Sequence, residues 1–138
     1  MEGEAARPFP NSVFVNGAPK VNDIPELYAR VLASMTEGVS IASADGVILY
    51  TNPAEDRMFG YAPGELIGQH VSVQNAYSHE ENTRIIAEVI AQLEADGSWS
   101  GEWRNRRKDG CEFYTFARIT TVTLSDGRRN FFCVRGAI

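Results

Sequence analysis

The sequence predicts one α+β domain built on a five-stranded antiparallel sheet with helices over one face, and three observations carry that prediction. Two short β runs flank Asp45-Gly46, a pair that supplies the positive φ of a tight hairpin turn. A long stretch of helical periodicity begins at Ser78 and closes at Asp96-Gly97. Three β-rich segments follow it, joined by Asp109-Gly110 and Asp126-Gly127. With 138 residues, 43% of them hydrophobic and 22% charged, the chain is sized and composed for a single globular core.

The elements follow in order. Residues 1–23 hold Gly3, Pro8, Pro10, Gly17 and Pro19 with little periodicity, so an irregular arm is expected there, its one apolar patch at Val13–Val15. The folded domain is expected over 24–138. Asp23 with Glu26 is a capping signature, Pro25 suits a first helical turn, and Leu27, Tyr28, Val31, Leu32 and Met35 recur at helical spacing. Strands are expected at Val39–Ala42 and Val47–Thr51. Asn52-Pro53 then opens a short helix that ends at Phe59-Gly60, because asparagine caps, proline tolerates the first turn and glycine takes the left-handed C-terminal position. A further single turn is expected over Pro63–Ile67. In the long helix, Ser78 and Glu81 form a capping box, and Ile85, Ile86, Val89, Ile90 and Leu93 mark the face to be buried. The last strands are expected at Ser98–Arg107, Cys111–Leu124 and Arg129–Ala137 as an antiparallel meander.

Alternation along the middle strand puts Phe113, Thr115, Ala117, Ile119 and Thr121 on one face and Tyr114, Phe116, Arg118, Thr120 and Val122 on the other. Both rows carry large apolar groups, so the second face also needs a cover: the helix at Leu27–Met35 or a partner subunit.

Composition excludes several function classes. The chain lacks the ~18–20 consecutive apolar residues of a membrane helix, and Met1–Pro10 has no signal-peptide pattern, so a cytoplasmic protein with no membrane partner is expected. Cys111 and Cys133 are too few and too far apart for a disulfide framework or a metal cluster. The net charge of −5 is split, with 5 Lys/Arg against 15 Asp/Glu in residues 1–103 and 8 against 3 in 104–138. Arg104, Arg106, Arg107 and Lys108 form a basic cluster, but an acidic chain repels nucleic acid at long range, and the cluster reads as the solvated face of a strand and turn. Catalysis is not expected: Ser72 and Ser100 have no base partner in sight, no phosphate loop of the G-x-x-x-x-G-K type exists, and Gly101 is isolated.

Four segments in register resemble a known family. They are Glu37-Gly38-Val39; Ala44-Asp45-Gly46-Val47-Ile48 with Asn52-Pro53-Ala54; Phe59-Gly60-Tyr61 with Glu65-Leu66-Ile67-Gly68; and Trp99-Ser100-Gly101-Glu102-Trp103 with Arg107-Lys108-Asp109-Gly110. From about Leu27 to Gly136 the chain resembles PAS domains, the sensory and dimerising modules found ahead of histidine kinases, cyclic-nucleotide enzymes and transcriptional regulators. The resemblance implies a signal-input module, in a two-component system or a similar pathway, that binds a small ligand or none between the long helix and the sheet and relays the change to an effector domain. It implies a homodimer, for which Leu27, Val31, Tyr114, Phe116 and Phe132 are the interface candidates. Related chains continue past the point equivalent to Ile138 with a helical linker, so either a cut or a departure from the family is expected there.

Each cofactor known in that family makes a demand at one position. Val71 stands where light-sensing members carry the cysteine that attacks flavin. Glu81 stands where oxygen-sensing members carry the haem histidine, and His79 and His70 read as polar neighbours of a helix cap and a turn. For a noncovalent FAD or FMN, Gln74 and Asn105 match two of four amide positions, while Thr115 and Arg135 replace the other two. The expectation is therefore no cofactor, with noncovalent flavin as the alternative and a ligand-free interaction domain as a further one. The candidate pocket residues are Gln74, Trp103, Asn105, Thr115 and Arg135. A buried arginine needs a partner, so Arg135 pairs with an internal carboxylate, meets a small anion, or, as the more ordinary outcome, reaches solvent at the end of the sheet. Trp99 and Trp103, two apart on one strand face, suit a core wall.

Overall fold

A computed structural model describes residues 21–138. The arm expected over 1–23 lies outside the described residues except for its last three, which form a short 3-10 turn, Val21–Asp23. The chain divides into two compact units, Met1–Ser34 and Met35–Ile138, and each is taken by itself.

In the first unit, helix α1 is Ile24–Ser34, with Pro25 and Glu26 in its first turn. It stops one residue short of Met35. Leu27 and Val31 on it are exposed.

The second unit holds the whole sheet. Its elements are β1 (Gly38–Ser43), β2 (Ile48–Thr51), α2 (Pro53–Phe59), a 3-10 turn (Val71–Gln74), α3 (His79–Asp96), β3 (Ser98–Arg106), β4 (Glu112–Thr123) and β5 (Arg129–Ala137). The spatial order is β2-β1-β5-β4-β3, all antiparallel. The first and last strands therefore lie together at the centre, with Gly38 opposite Arg135 and Ser40 opposite Cys133. The expected turn at Pro63–Ile67 is present as hydrogen-bonded turns without a helix, Glu65 N–H donating to Ala62 O and Ile67 N–H to Gly64 O. The 3-10 turn at Val71–Gln74 was not legible in the sequence, because its cap is the unusual one of His70, whose Nδ1 accepts from Ser72 N–H at 3.1 Å.

Local chemistry explains the joints. Asn52 is fully buried, and its Oδ1 accepts from Val39 N–H and Glu55 N–H, both at 2.9 Å, while its Nδ2 donates to Glu37 O at 3.0 Å. One side chain thus caps α2 and fastens it to β1. At α3 both halves of the capping box form between Ser78 and Glu81. Val89 and Leu93 of α3 pack on Trp103, Ala117 and Cys133 of the sheet, flanked by Tyr77, Ile85, Trp99, Ile119 and Phe131. Along β4 the alternation holds: Thr115 and Ala117 are buried, whereas Tyr114, Phe116, Arg118 and Thr120 are exposed. On the same outer face Phe132 is half-buried.

Three members of the basic cluster, Arg104, Arg107 and Lys108, are engaged locally, while Arg106 is exposed. Arg104 Nη2 donates to Ala76 O at 3.1 Å and its guanidinium lies over the Tyr77 ring. Arg107 Nη1 donates to Met58 O at 2.8 Å and stacks over Phe113, and Lys108 pairs with Glu65.

Candidate functional site

Between α3 and the inner face of the sheet lies a cavity of about 320 Å³, at the small end of ligand pockets. One end is apolar, walled by Val89, Ile90 and Leu93 of α3 and by Trp103, Ile119 and Phe131 of the sheet. The other end is polar, formed by Ser40, Gln74, Cys133 and Arg135, with exposed His70 and Asp45 also in its wall. Trp103 packs at a tilt against two aromatic neighbours, Tyr77 at 5.7 Å and Trp99 at 5.6 Å between ring centroids. The two tryptophans are a core wall, as their spacing suggests. Gly101 between them is required by that packing, since a Cβ there would stand 2.8 Å from the Trp99 ring.

Arg135 does not reach solvent, which corrects the more ordinary of the expectations for it. β5 alternation turns it inward with Cys133, leaving its side chain 9% exposed, and Glu55 of α2, fully buried, brings Oε1 to within 3.3 Å of Nε. The contact is an ion pair by distance, yet neither atom achieves hydrogen-bond geometry. Glu55 Oε2 is better served, accepting from Gln74 Nε2 at 2.8 Å. The Arg135 guanidinium also lies over the Phe59 ring, 5.2 Å from its centroid. Burial works against its charge, but Cys133 and Glu55 outweigh this and hold its pKa above the ordinary arginine value. Burial likewise pushes the Cys133 thiol up, with Arg135 opposing.

Glu55 was missed by sequence reasoning, because a glutamate in the first turn of a helix is ordinarily a solvated partner of the helix dipole. A signal exists in Gly38, which lies opposite Arg135: a Cβ there would fall 2.5 Å from Glu55 Oε1. The missing side chain is the space the carboxylate occupies.

Of the five candidate pocket residues, Gln74, Trp103 and Arg135 line the cavity, while Asn105 and Thr115 do not. Both are fully buried, but they are committed to each other and to the backbone: Thr115 Oγ1 donates to Asn105 Oδ1 at 2.6 Å, and Asn105 Nδ2 donates to Gln74 O at 3.0 Å. Together they pin the 3-10 turn to β3, which positions Gln74 at the cavity.

Comparison with known proteins decides the family. Residues 26–136 match the PAS family, described as the PAS fold. The chain belongs to the PAS family. Among relatives, the chain is 27% identical over 97 residues to the mouse high affinity cAMP-specific and IBMX-insensitive 3',5'-cyclic phosphodiesterase 8A, a match that takes in 70% of this chain and 12% of that protein. The chain therefore spans only a small part of the length of the curated relative it matches. Among solved structures, a PAS domain from Colwellia psychrerythraea superposes with a TM-score of 0.76 at 22% identity, covering 84% of this chain and 98% of that one. The PAS domain of a two-component sensor histidine kinase gives 0.72 at 13% identity, covering 86% and 100%. These likenesses establish the fold. PAS domains are sensory input modules of signalling proteins and are generally not catalytic.

Within the PAS framework the recognisable segments acquire structural reasons. Asn52-Pro53-Ala54 is the cap that fastens α2 to β1, and Gly38 of Glu37-Gly38-Val39 makes room for the Glu55 carboxylate. Among the described residues no group of three or more His, Cys, Asp or Glu side chains is placed to hold a metal ion, both cysteines are free, and no helix is long and apolar enough to cross a membrane.

Proposed function

We propose that this PAS domain is the ligand-sensing input module of a signalling protein, taking a small molecule into the cavity between α3 and the sheet and passing the change to an effector. The observation that carries this reading is the cavity itself: protein interiors are otherwise close-packed, and a space of about 320 Å³ with apolar walls and one buried polar end is the form of a binding site. The effector, the homodimer with Tyr114, Phe116 and Phe132 in its interface, and a cytoplasmic setting belong to the same reading. Tyr114 and Phe116, exposed on the outer face, support the dimer. A cofactor-free domain is favoured over one holding FAD or FMN because Asn105 and Thr115, two of the four residues at flavin positions, are spent on each other and stand outside the cavity.

A thermal-shift screen of small molecules tests the proposal, run on the wild type and on Ala42→Ile, which adds methyl groups into the cavity wall. Compounds that raise the wild-type Tm and lose that effect in Ala42→Ile are expected. A screen in which nothing stabilises the wild type, or in which both proteins respond alike, would sink it.

A further inference from the structure

We infer that the ligand is a small carboxylate with an apolar tail, its anionic head on the guanidinium of Arg135 and its tail among Leu93, Trp103 and Phe131; this rests on the reading of the cavity as a binding site. Arg135 is the one charged side chain of the cavity wall that is buried, at 9% exposure, while Asp45, the other charged residue of the wall, is exposed. Arg135 is part of the wall, whereas its counter-ion Glu55 is not. The pairing with Glu55 also leaves the cation underused. Nε lies 3.3 Å from Oε1 without hydrogen-bond geometry, and among the described residues Glu55 is the only carboxylate in ion-pair contact with Arg135. A guanidinium carries five donors in a planar fork shaped for two carboxylate oxygens, and a buried donor left unfilled is costly. A ligand carboxylate at the guanidinium makes charge-assisted bonds, and the Ser40 hydroxyl and Gln74 amide lie in the same polar end of the cavity. The second buried negative charge this brings is tempered, since Glu55 sits in the first turn of α2 and accepts from Gln74 at 2.8 Å. A cavity of about 320 Å³ has room for an aryl or short branched alkyl tail.

The test compares acids with their neutral isosteres at pH 7: benzoate with benzamide, phenylacetate with phenylacetamide, isovalerate with isovaleramide. Binding is followed by tryptophan fluorescence, to which Trp103 in the cavity wall reports, and by calorimetry. At least one acid is expected to bind ten times or more tighter than its amide. The same preference should vanish in the double variant Glu55→Met with Arg135→Met, which removes both charges and so leaves no orphan behind, while an apolar amide still enters. Amides that bind as well as the acids would overturn the carboxylate assignment and leave the cavity reading standing. No binding by either member of any pair would overturn both. Retention of the acid preference in the double variant would place the anion elsewhere and overturn the role of Arg135.

Discussion

Glu55→Gln isolates the charge of the buried pair with almost no change of shape. Glu55 is fully buried and its Oε1 lies 3.3 Å from Arg135 Nε, whose side chain is 9% exposed. Removing one member of such a pair leaves an uncompensated ion, a loss of about 3–5 kcal/mol. The lower end applies here, because the guanidinium borders a cavity that water can enter and the Gln74 amide can still donate to the new side chain. At ~4 °C per kcal/mol for a chain of this size, Tm should fall by roughly 12 °C. Thermal melts by circular dichroism, with urea titrations checked for an unchanged m value, give both figures. Arg135→Met should cost at least as much, since the orphan is then a carboxylate sealed beneath Gly38. The double variant Glu55→Met with Arg135→Met should return to within about 1 kcal/mol of the wild type or exceed it, because well-packed apolar groups often replace a buried pair without loss. A cost for Glu55→Gln under about 1 kcal/mol would mean instead that the pair is hydrated in solution and not a desolvated ion pair.

Three further outcomes follow from the same geometry. Asn52→Ala should lose about 3 kcal/mol in urea melts, because it removes the α2 cap and also strips the Glu37 and Val39 backbone groups of their partner; a loss near 0.5 kcal/mol would show the joint to be dispensable. Burial raises the pKa of Asp56, against the lowering effect of the Thr51 hydroxyl and Arg57. A carboxyl raised in the folded state favours folding below its unfolded pKa, and that contribution disappears as pH rises through the folded value. Asp56→Asn, which keeps the acceptor for Thr51, should therefore gain on the wild type between pH 4 and pH 7 in parallel urea melts, and a shrinking difference over that range would contradict the assignment. Native protein treated with a disulfide-exchange reagent at pH 8 should expose one thiol: Cys111 reacts slowly, its pKa raised by the hydrogen bond and charge of Asp109, and Cys133 reacts only after unfolding. Two thiols titrating at once in the folded protein would mean that the β5 core opens.

Much of the fold was legible because its signals are local. Asp45-Gly46, Asp109-Gly110 and Asp126-Gly127 each force a turn, Ser78 and Glu81 cap their helix within four residues, and β4 alternates as a half-buried strand must. The pairing of β1 with β5 was not legible, since it joins residues about ninety apart and depends on packing, not on turn chemistry. That pairing brings Gly38 opposite Arg135 and creates the space for Glu55, so the polar end of the site was hidden with it. Alternation placed Arg135, Asn105 and Thr115 on the inner face correctly. What it could not supply was which polar groups satisfy one another: Asn105 and Thr115 close a network with the Gln74 carbonyl, while Arg135 pairs with Glu55 and lines the cavity.

Whether the space between α3 and the sheet is a binding site is tested most directly by nitrogen–proton correlation spectra of the chain titrated with the small molecules that raise its Tm. Saturable shifts are expected on the Trp103 indole N–H, on Gln74 and Ser40, and on the amides of Val89, Leu93 and Phe131, with the outer-face amides of Tyr114 and Phe116 unmoved. Shifts confined to the outer face, or absent up to millimolar ligand, would contradict a binding site there.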